Sequence, residues 1–188
     1  TEKSSSFNKY ETVKYATGKY MIILDSHVLI QSNGIDLLLK YFDKHPDCKD
    51  LIQGPLWYDD LSIATHLNPV WSGGMWGTWN SAQPILDSVE PIEIQMQGMG
   101  MLAFERKNWP TISTLFKGFG GEEGYISEKF RQAGGKNIWL PQLKWLHRFD
   151  RPVGIPYPLN LSDRIWNYFI ACLDLYDDHN HQFIQDTI

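Results

Sequence analysis

The run Tyr20-Met21-Ile22-Ile23-Leu24 leads straight into Asp25-Ser26-His27, and this junction constrains the chain more than any other. Five apolar residues, with Tyr20, Ile22 and Ile23 β-branched or aromatic, lie between Gly18 and a polar tripeptide and read as a buried strand. In an extended chain residues i and i+2 point the same way. Asp25 and His27 are therefore expected to present a carboxylate oxygen and an imidazole nitrogen to one point. That is half of a divalent-cation site, and its mixed donors suit Mn²⁺ better than Mg²⁺. Taken alone, the tripeptide reads more readily as a polar turn closing a buried strand.

Periodicity places the other elements. Ser4-Ser5-Ser6 offers caps for a helix to about Ala16, with Phe7, Tyr10 and Val13 on one side. Asn33-Gly34 opens a second helix, whose Ile35, Leu38, Leu39 and Phe42 recur at helical spacing before Pro46 stops it. Residues 51–58 read as a strand in which Pro55 marks an edge or bulge. Residues 59–84 read as a long irregular segment, rich in Trp and Gly. Residues 92–104 carry strand signals broken by Gly98-Met99-Gly100, where glycines permit close backbone approach to a ligand or form a bulge. Residues 123–133 read as a helix closed by Gly134-Gly135, residues 137–140 as a short strand, and Ser162 as the cap of a last helix to about Tyr176. Strands alternating with helices predict a layered α/β domain.

The length of 188 residues suits one such domain, taken as residues 1–188. A net charge of −5 argues against a broad basic face for nucleic acid, and no apolar run is long enough to cross a bilayer. Cys48 falls in a polar stretch and Cys172 in an expected helix, with no spacing that suggests a metal knuckle or a redox pair. The reducing cytoplasm is the default location.

Three polar clusters fall at element ends, where open α/β sheets bind ligands. They are Asp25-Ser26-His27, then Phe119-Gly120-Gly121-Glu122-Glu123-Gly124 leading into a helix, then Leu146-His147-Arg148-Phe149-Asp150-Arg151-Pro152. Each has a plain structural reading. Gly120-Gly121 can be a turn, Glu122 and Glu123 can complement the helix dipole, and His147 can be a satisfied core histidine.

In order and spacing, however, they resemble the catalytic half of GT-A glycosyltransferases, above all the polypeptide N-acetylgalactosaminyltransferases and related family 2-type enzymes. Leu24-Asp25-Ser26-His27 matches that family's metal motif letter for letter. Ala16-Thr17-Gly18 is similar to its Ala-x-Gly element, and Gly98-Met99-Gly100 through Glu105-Arg106 to its glycine-rich entry before an Asp-Arg pair. Phe119-Gly120-Gly121-Glu122-Glu123 is similar to Trp-Gly-Gly-Glu-Asn/Asp, Ala133-Gly134-Gly135 to Cys-Gly-Gly, and His147-Arg148-Phe149 to His-Val-Phe-Arg. The chain departs at Phe119, where the family has Trp, and at Glu123, where it has Asn or Asp.

The resemblance implies a GT-A, Rossmann-like layered sheet with flanking helices, truncated at its N-terminus, so that the chain is the C-terminal catalytic part and a nucleotide-binding half is missing. It implies that Asp25, His27 and His147 bind Mn²⁺ or another divalent cation, which holds a nucleotide sugar donor, most simply UDP-linked. Gly98, Gly100, Gly121, Arg148 and Arg151, with Asp25, are expected to serve the donor. Glu122 is expected to be exposed and to hold sugar hydroxyls, and Glu123 stands where inverting relatives carry the general base. The acceptor is a carbohydrate, protein or other hydroxyl. The Trp71, Trp76 and Trp79 segment is expected either to shape the pocket or to fill a satellite core. Two alternatives remain open: an inactive glycosyltransferase-like module that binds carbohydrate or assists assembly, and a metal-dependent hydrolase.

Overall fold

The computed structural model describes residues 5–155 and 158–176. Its elements run α1 (Ser5–Tyr15), β1 (Tyr20–Leu24), β2 (Val28–Ile30), α2 (Gly34–Lys44), β3 (Leu51–Gln53), β4 (Leu56–Trp57), β5 (Ile63–Ala64), β6 (His66–Ser72), β7 (Met75–Asn80) and α3 (Gln83–Leu86). They continue with β8 (Ile92–Glu93), β9 (Met101–Glu105), a 3-10 turn (Arg106–Asn108), α4 (Glu122–Gln132), β10 (Asn137–Trp139), β11 (Trp145–His147) and α5 (Leu161–Leu175). The expected cap at Ser4 and the side chain of Phe7 lie outside the described residues. The last helix starts one residue before Ser162, with Asn160 at its cap.

Five strands form the main sheet in the order β1-β9-β3-β10-β8, and four form a second sheet in the order β2-β11-β4-β5. The β3–β10 and β11–β4 pairs are parallel and the other pairs in these two sheets antiparallel. Strand alternation divides the core. Ile52, Met101 and Ala103 point to a cluster with Leu38 and Phe42 of α2. Leu51, Leu102 and Phe104 point to the opposite cluster, with Ile126 and Phe130 of α4, Val13 of α1 and Ile170 of α5. The result is helix, sheet, helix: the layered α/β architecture.

Three expectations are corrected. Residues 51–58 are not one strand. Gly54-Pro55 breaks the run, so that β3 joins the main sheet and β4 the second. Pro55 has no N–H to continue a ladder, yet its carbonyl accepts from Trp145 N at 3.1 Å. Nor is the Trp-rich segment irregular. It forms the β6–β7 hairpin, closed by Gly73 (φ 58°) and Gly74 (φ 74°). Positive φ at both central residues of a two-residue loop matches the twist of the flanking strands. Cys48, expected in a polar stretch, is buried against Asp50, and burial pushes its thiol up to about 12.

Gly54 is the tightest junction between the sheets. A Cβ there would collide with the Leu143 backbone carbonyl, an obstacle no side-chain rotation relieves. Gly54→Ala is therefore expected to destabilise the chain by about 3 kcal/mol or more, read by urea unfolding. A loss within about 0.5 kcal/mol, the range of an ordinary surface change, would contradict this packing.

Candidate metal centre

Asp25 follows β1, and its N–H donates to Gly100 O at 2.9 Å. The chain then turns, with Val28 N donating to Asp25 O at 3.1 Å, and enters β2 in the second sheet. His147 ends β11 in register with Val28, and Arg148 N donates to His27 O at 3.1 Å. The side chains of Asp25 and His27 thus converge through a turn between two sheets. They do not do so by the strand alternation expected from the sequence.

The structure brings Asp25, His27 and His147 together, with one ligand atom from each lying within 4.8 Å of the others. His27 Nε2 is 3.1 Å from His147 Nε2, and each nitrogen is 3.9 Å from Asp25 Oδ2. The point equidistant from the corners of such a triangle lies about 2.1 Å from each, within the roughly 2.0–2.3 Å typical of divalent-cation bonds to nitrogen and oxygen. Two imidazoles and one carboxylate form a mixed nitrogen and oxygen set that suits a divalent transition-metal cation such as Mn²⁺ better than Mg²⁺ or Ca²⁺, so the residues fit the group. Burial, then His27, then Arg151 depress the His147 ring to about 4. The ring is neutral at ordinary pH and keeps a nitrogen lone pair. Burial raises the Asp25 carboxyl, with Lys9 and His27 opposing the shift.

The triad lies on one wall of an open cleft of about 1620 Å³. Trp76 and Trp79 of the hairpin line it too, as do Gly120, Glu123, Arg164 and Tyr168. Trp71 packs on Trp76 and Tyr168, with ring centroids 5.5 and 4.9 Å away. The tryptophans therefore divide between lining the cleft and supporting the rings that do.

The glycines named from sequence lie in this cleft, but their nearest neighbours are protein. A Cβ at Gly98 would strike the Trp79 ring, and one at Gly100 would lie 2.9 Å from His147 Cδ2. Gly120 and Gly121 have φ of 93° and 92° and turn the chain into α4. Arg148 Nε is drawn to Asp59 Oδ1 at 3.5 Å, whereas Arg151 Nη2 reaches His27 Nε2 at 2.9 Å.

Glu122 was expected to be exposed, yet it is 2% exposed. Its Oε1 meets Lys9 Nζ of α1 at 3.5 Å, and its Oε2 is buried without a hydrogen-bond partner among the described residues. Glu123 is partly buried. Burial first, and then the adjacent Glu122, push its carboxyl up to about 7. Sequence reasoning missed Lys9 and Asp59. A single lysine on a polar helix and an acid beside Asp60 carry no pattern that marks them.

No protein-family model matches this chain, and no curated protein sequence matches it. Solved structures do. The fold is GT-A-like, a mixed α/β arrangement of sheets with flanking helices. It is similar to the structure of GalNAc-T7 with UDP, GalNAc and Mn²⁺, at a TM-score of 0.70 and 18% sequence identity. The match covers 95% of this chain and 36% of that one, so the chain spans little more than a third of that neighbour's length.

Two predictions follow from the buried charges. Glu122→Ala leaves Lys9, 8% exposed, without its partner and is expected to cost roughly 3 kcal/mol. Glu122→Gln should cost less, because the amide still fills the site. Equal denaturation midpoints for wild type and Glu122→Ala would contradict the pairing. The second concerns pH. The folded pKa of Glu123 lies above its ordinary 4.5, so its contribution to stability is complete below that value and is lost as pH rises toward about 7. Across this window wild type should lose more thermal stability than Glu123→Gln, and parallel profiles would refute the raised carboxyl.

Proposed function

We propose that this chain is the catalytic part of a metal-dependent glycosyltransferase that moves a sugar from a nucleotide donor, most simply UDP-linked, to an acceptor hydroxyl. The convergence of Asp25, His27 and His147 on one point of a GT-A-like cleft carries this reading. The neighbour of similar fold holds UDP and Mn²⁺.

In this reading Asp25, His27 and His147 hold the cation, which supplies positive charge to the diphosphate leaving group. Arg151, and Arg148 at the cleft margin, pair with phosphate oxygens. Gly98, Gly100 and Gly121, which make room for Trp79, His147 and Asn167, line the cleft in which the donor lies. The unpartnered Oε2 of Glu122 accepts a donor-sugar hydroxyl, with Lys9 holding the other oxygen in place. Glu123, with a carboxyl raised toward neutrality, is placed to take the acceptor proton if the enzyme inverts. The acceptor is a carbohydrate, protein or other hydroxyl, and Trp76 and Trp79 offer apolar faces suited to a sugar ring.

The residues form one part of a larger GT-A domain. Among the described residues β1 pairs on one side only, with β9, and Ile22 and Ile23 on it are partly exposed. An apolar edge of this kind favours pairing with a further strand, which supports a nucleotide-binding half docking there. Among the described residues no helix is long and apolar enough to cross a membrane.

Calorimetric titration of UDP into the full chain, with Mn²⁺ and with a chelator, tests the reading. Binding should require Mn²⁺ and fall at least about tenfold in Asp25→Asn and His147→Ala, since three ligands cannot be reduced to two without weakening the site. Binding indifferent to Mn²⁺ would overturn it. Metal-dependent binding without sugar transfer from any UDP-sugar would favour the non-catalytic module.

A further inference from the structure

Arg151 Nη2 lies 2.9 Å from His27 Nε2, the nitrogen that also faces His147 Nε2 at 3.1 Å and Asp25 Oδ2 at 3.9 Å. Arginine is a donor only and keeps its charge, so in this contact His27 Nε2 is the acceptor. A neutral imidazole nitrogen has one lone pair. A guanidinium N–H and a cation cannot both take it, and two positive charges at this spacing repel strongly in a partly buried site.

The surrounding chain limits how Arg151 can move. Asp59 Oδ2 accepts from Phe149 N at 3.1 Å and from Asp150 N at 3.4 Å, and Asp59 Oδ1 attracts Arg148. The Phe149 ring stacks on His147 at 3.7 Å and on Tyr58 at 5.2 Å. Gly154 N donates back to Arg151 O at 2.9 Å. The backbone on either side of Arg151 is therefore tied down. Its guanidinium can change partner by rotating about side-chain bonds, from His27 into the adjoining cleft. Arg148 is held toward Asp59, so of the two arginines Arg151 is the one in contact with a triad nitrogen.

We infer that Arg151 exchanges between His27 Nε2 and the donor diphosphate, so that it opposes cation binding when the cleft holds no anion and supports it when a diphosphate is present. This rests on the glycosyltransferase reading above and adds the coupling between its two ligands. A bound diphosphate would attract both positive charges, so the net coupling between arginine and cation becomes favourable although their direct repulsion remains. Cation and nucleotide then bind with positive cooperativity that depends on one side chain, and linkage requires the effect to be reciprocal. Asp59 is a positioning residue in this scheme, because it holds the backbone from which Arg151 reaches both partners.

The test is Mn²⁺ binding to the full chain, followed by the electron paramagnetic resonance signal of the unbound ion, with and without saturating UDP. Arg151→Gln removes the charge and should leave thermal unfolding close to wild type. Without UDP the variant is expected to bind Mn²⁺ more tightly than wild type, on the order of tenfold. With UDP it should bind more weakly by a similar factor, within the usual range of coupling between sites. Mn²⁺ affinity that is unchanged or weaker in Arg151→Gln without UDP overturns the exchange. If Asp25→Asn still abolishes Mn²⁺ binding in that case, the cation site stands and only the gate is lost. If wild type, Arg151→Gln and Asp25→Asn all fail to bind Mn²⁺, the metal reading itself falls.

Discussion

The hydrogen bond from Asp25 N to Gly100 O, 2.9 Å long, fixes the point at which the chain leaves one sheet for the other. The meeting of Asp25, His27 and His147 depends on that crossing. It ends β1 with Asp25 in the main sheet and begins β2 with His27 already beside the second. β11 then lies against β2 and brings His147 to the same corner. The side chains of residues 25, 27 and 147 meet because two sheets are joined at one turn. Gly100 has a second part in this, since a side chain there would press on the His147 ring.

Burial governs the chemistry of this corner as much as proximity does. Burial, with His27 and Arg151 beside it, lowers the His147 ring to about 4, so the ring keeps a nitrogen lone pair. On the facing side, Lys9 and Glu122 form an ion pair removed from water, and Glu123 is held near neutrality beside it. Such charges cost stability when they are unpaired. Their concentration around one cleft is the pattern of a site in which function has been kept at the expense of a simpler apolar core.

The layered α/β class was legible because its signals are local. Tyr20 to Leu24 reads as a strand and is one, and the helical spacing of Leu38 and Phe42 survives in α2. The grouping of Asp25, His27 and His147 was legible as residue types at a spacing, although the reason given for the convergence was wrong: a turn brings Asp25 and His27 together. What escaped depends on contacts distant in sequence. Gly54-Pro55 gave no sign that it moves the chain between sheets, because that follows from β11 arriving at Trp145, 91 residues after Gly54. The β6–β7 hairpin did leave a signal, Gly73-Gly74 between aromatic runs, which was read as irregularity. Burial of Glu122 was hidden because it depends on Lys9, more than a hundred residues away in the chain. Asp59 was hidden for the same reason, through its backbone contacts to Phe149 and Asp150.

The central claim is that Asp25, His27 and His147 form a single cation site. Anomalous diffraction at the manganese edge, from crystals of the full chain grown with Mn²⁺, tests it most directly. The account predicts one strong peak about 2.0–2.3 Å from Asp25 Oδ2, His27 Nε2 and His147 Nε2, the ordinary range for such ligands. A peak held by other residues, or none at a Mn²⁺ concentration that saturates binding in solution, would contradict it.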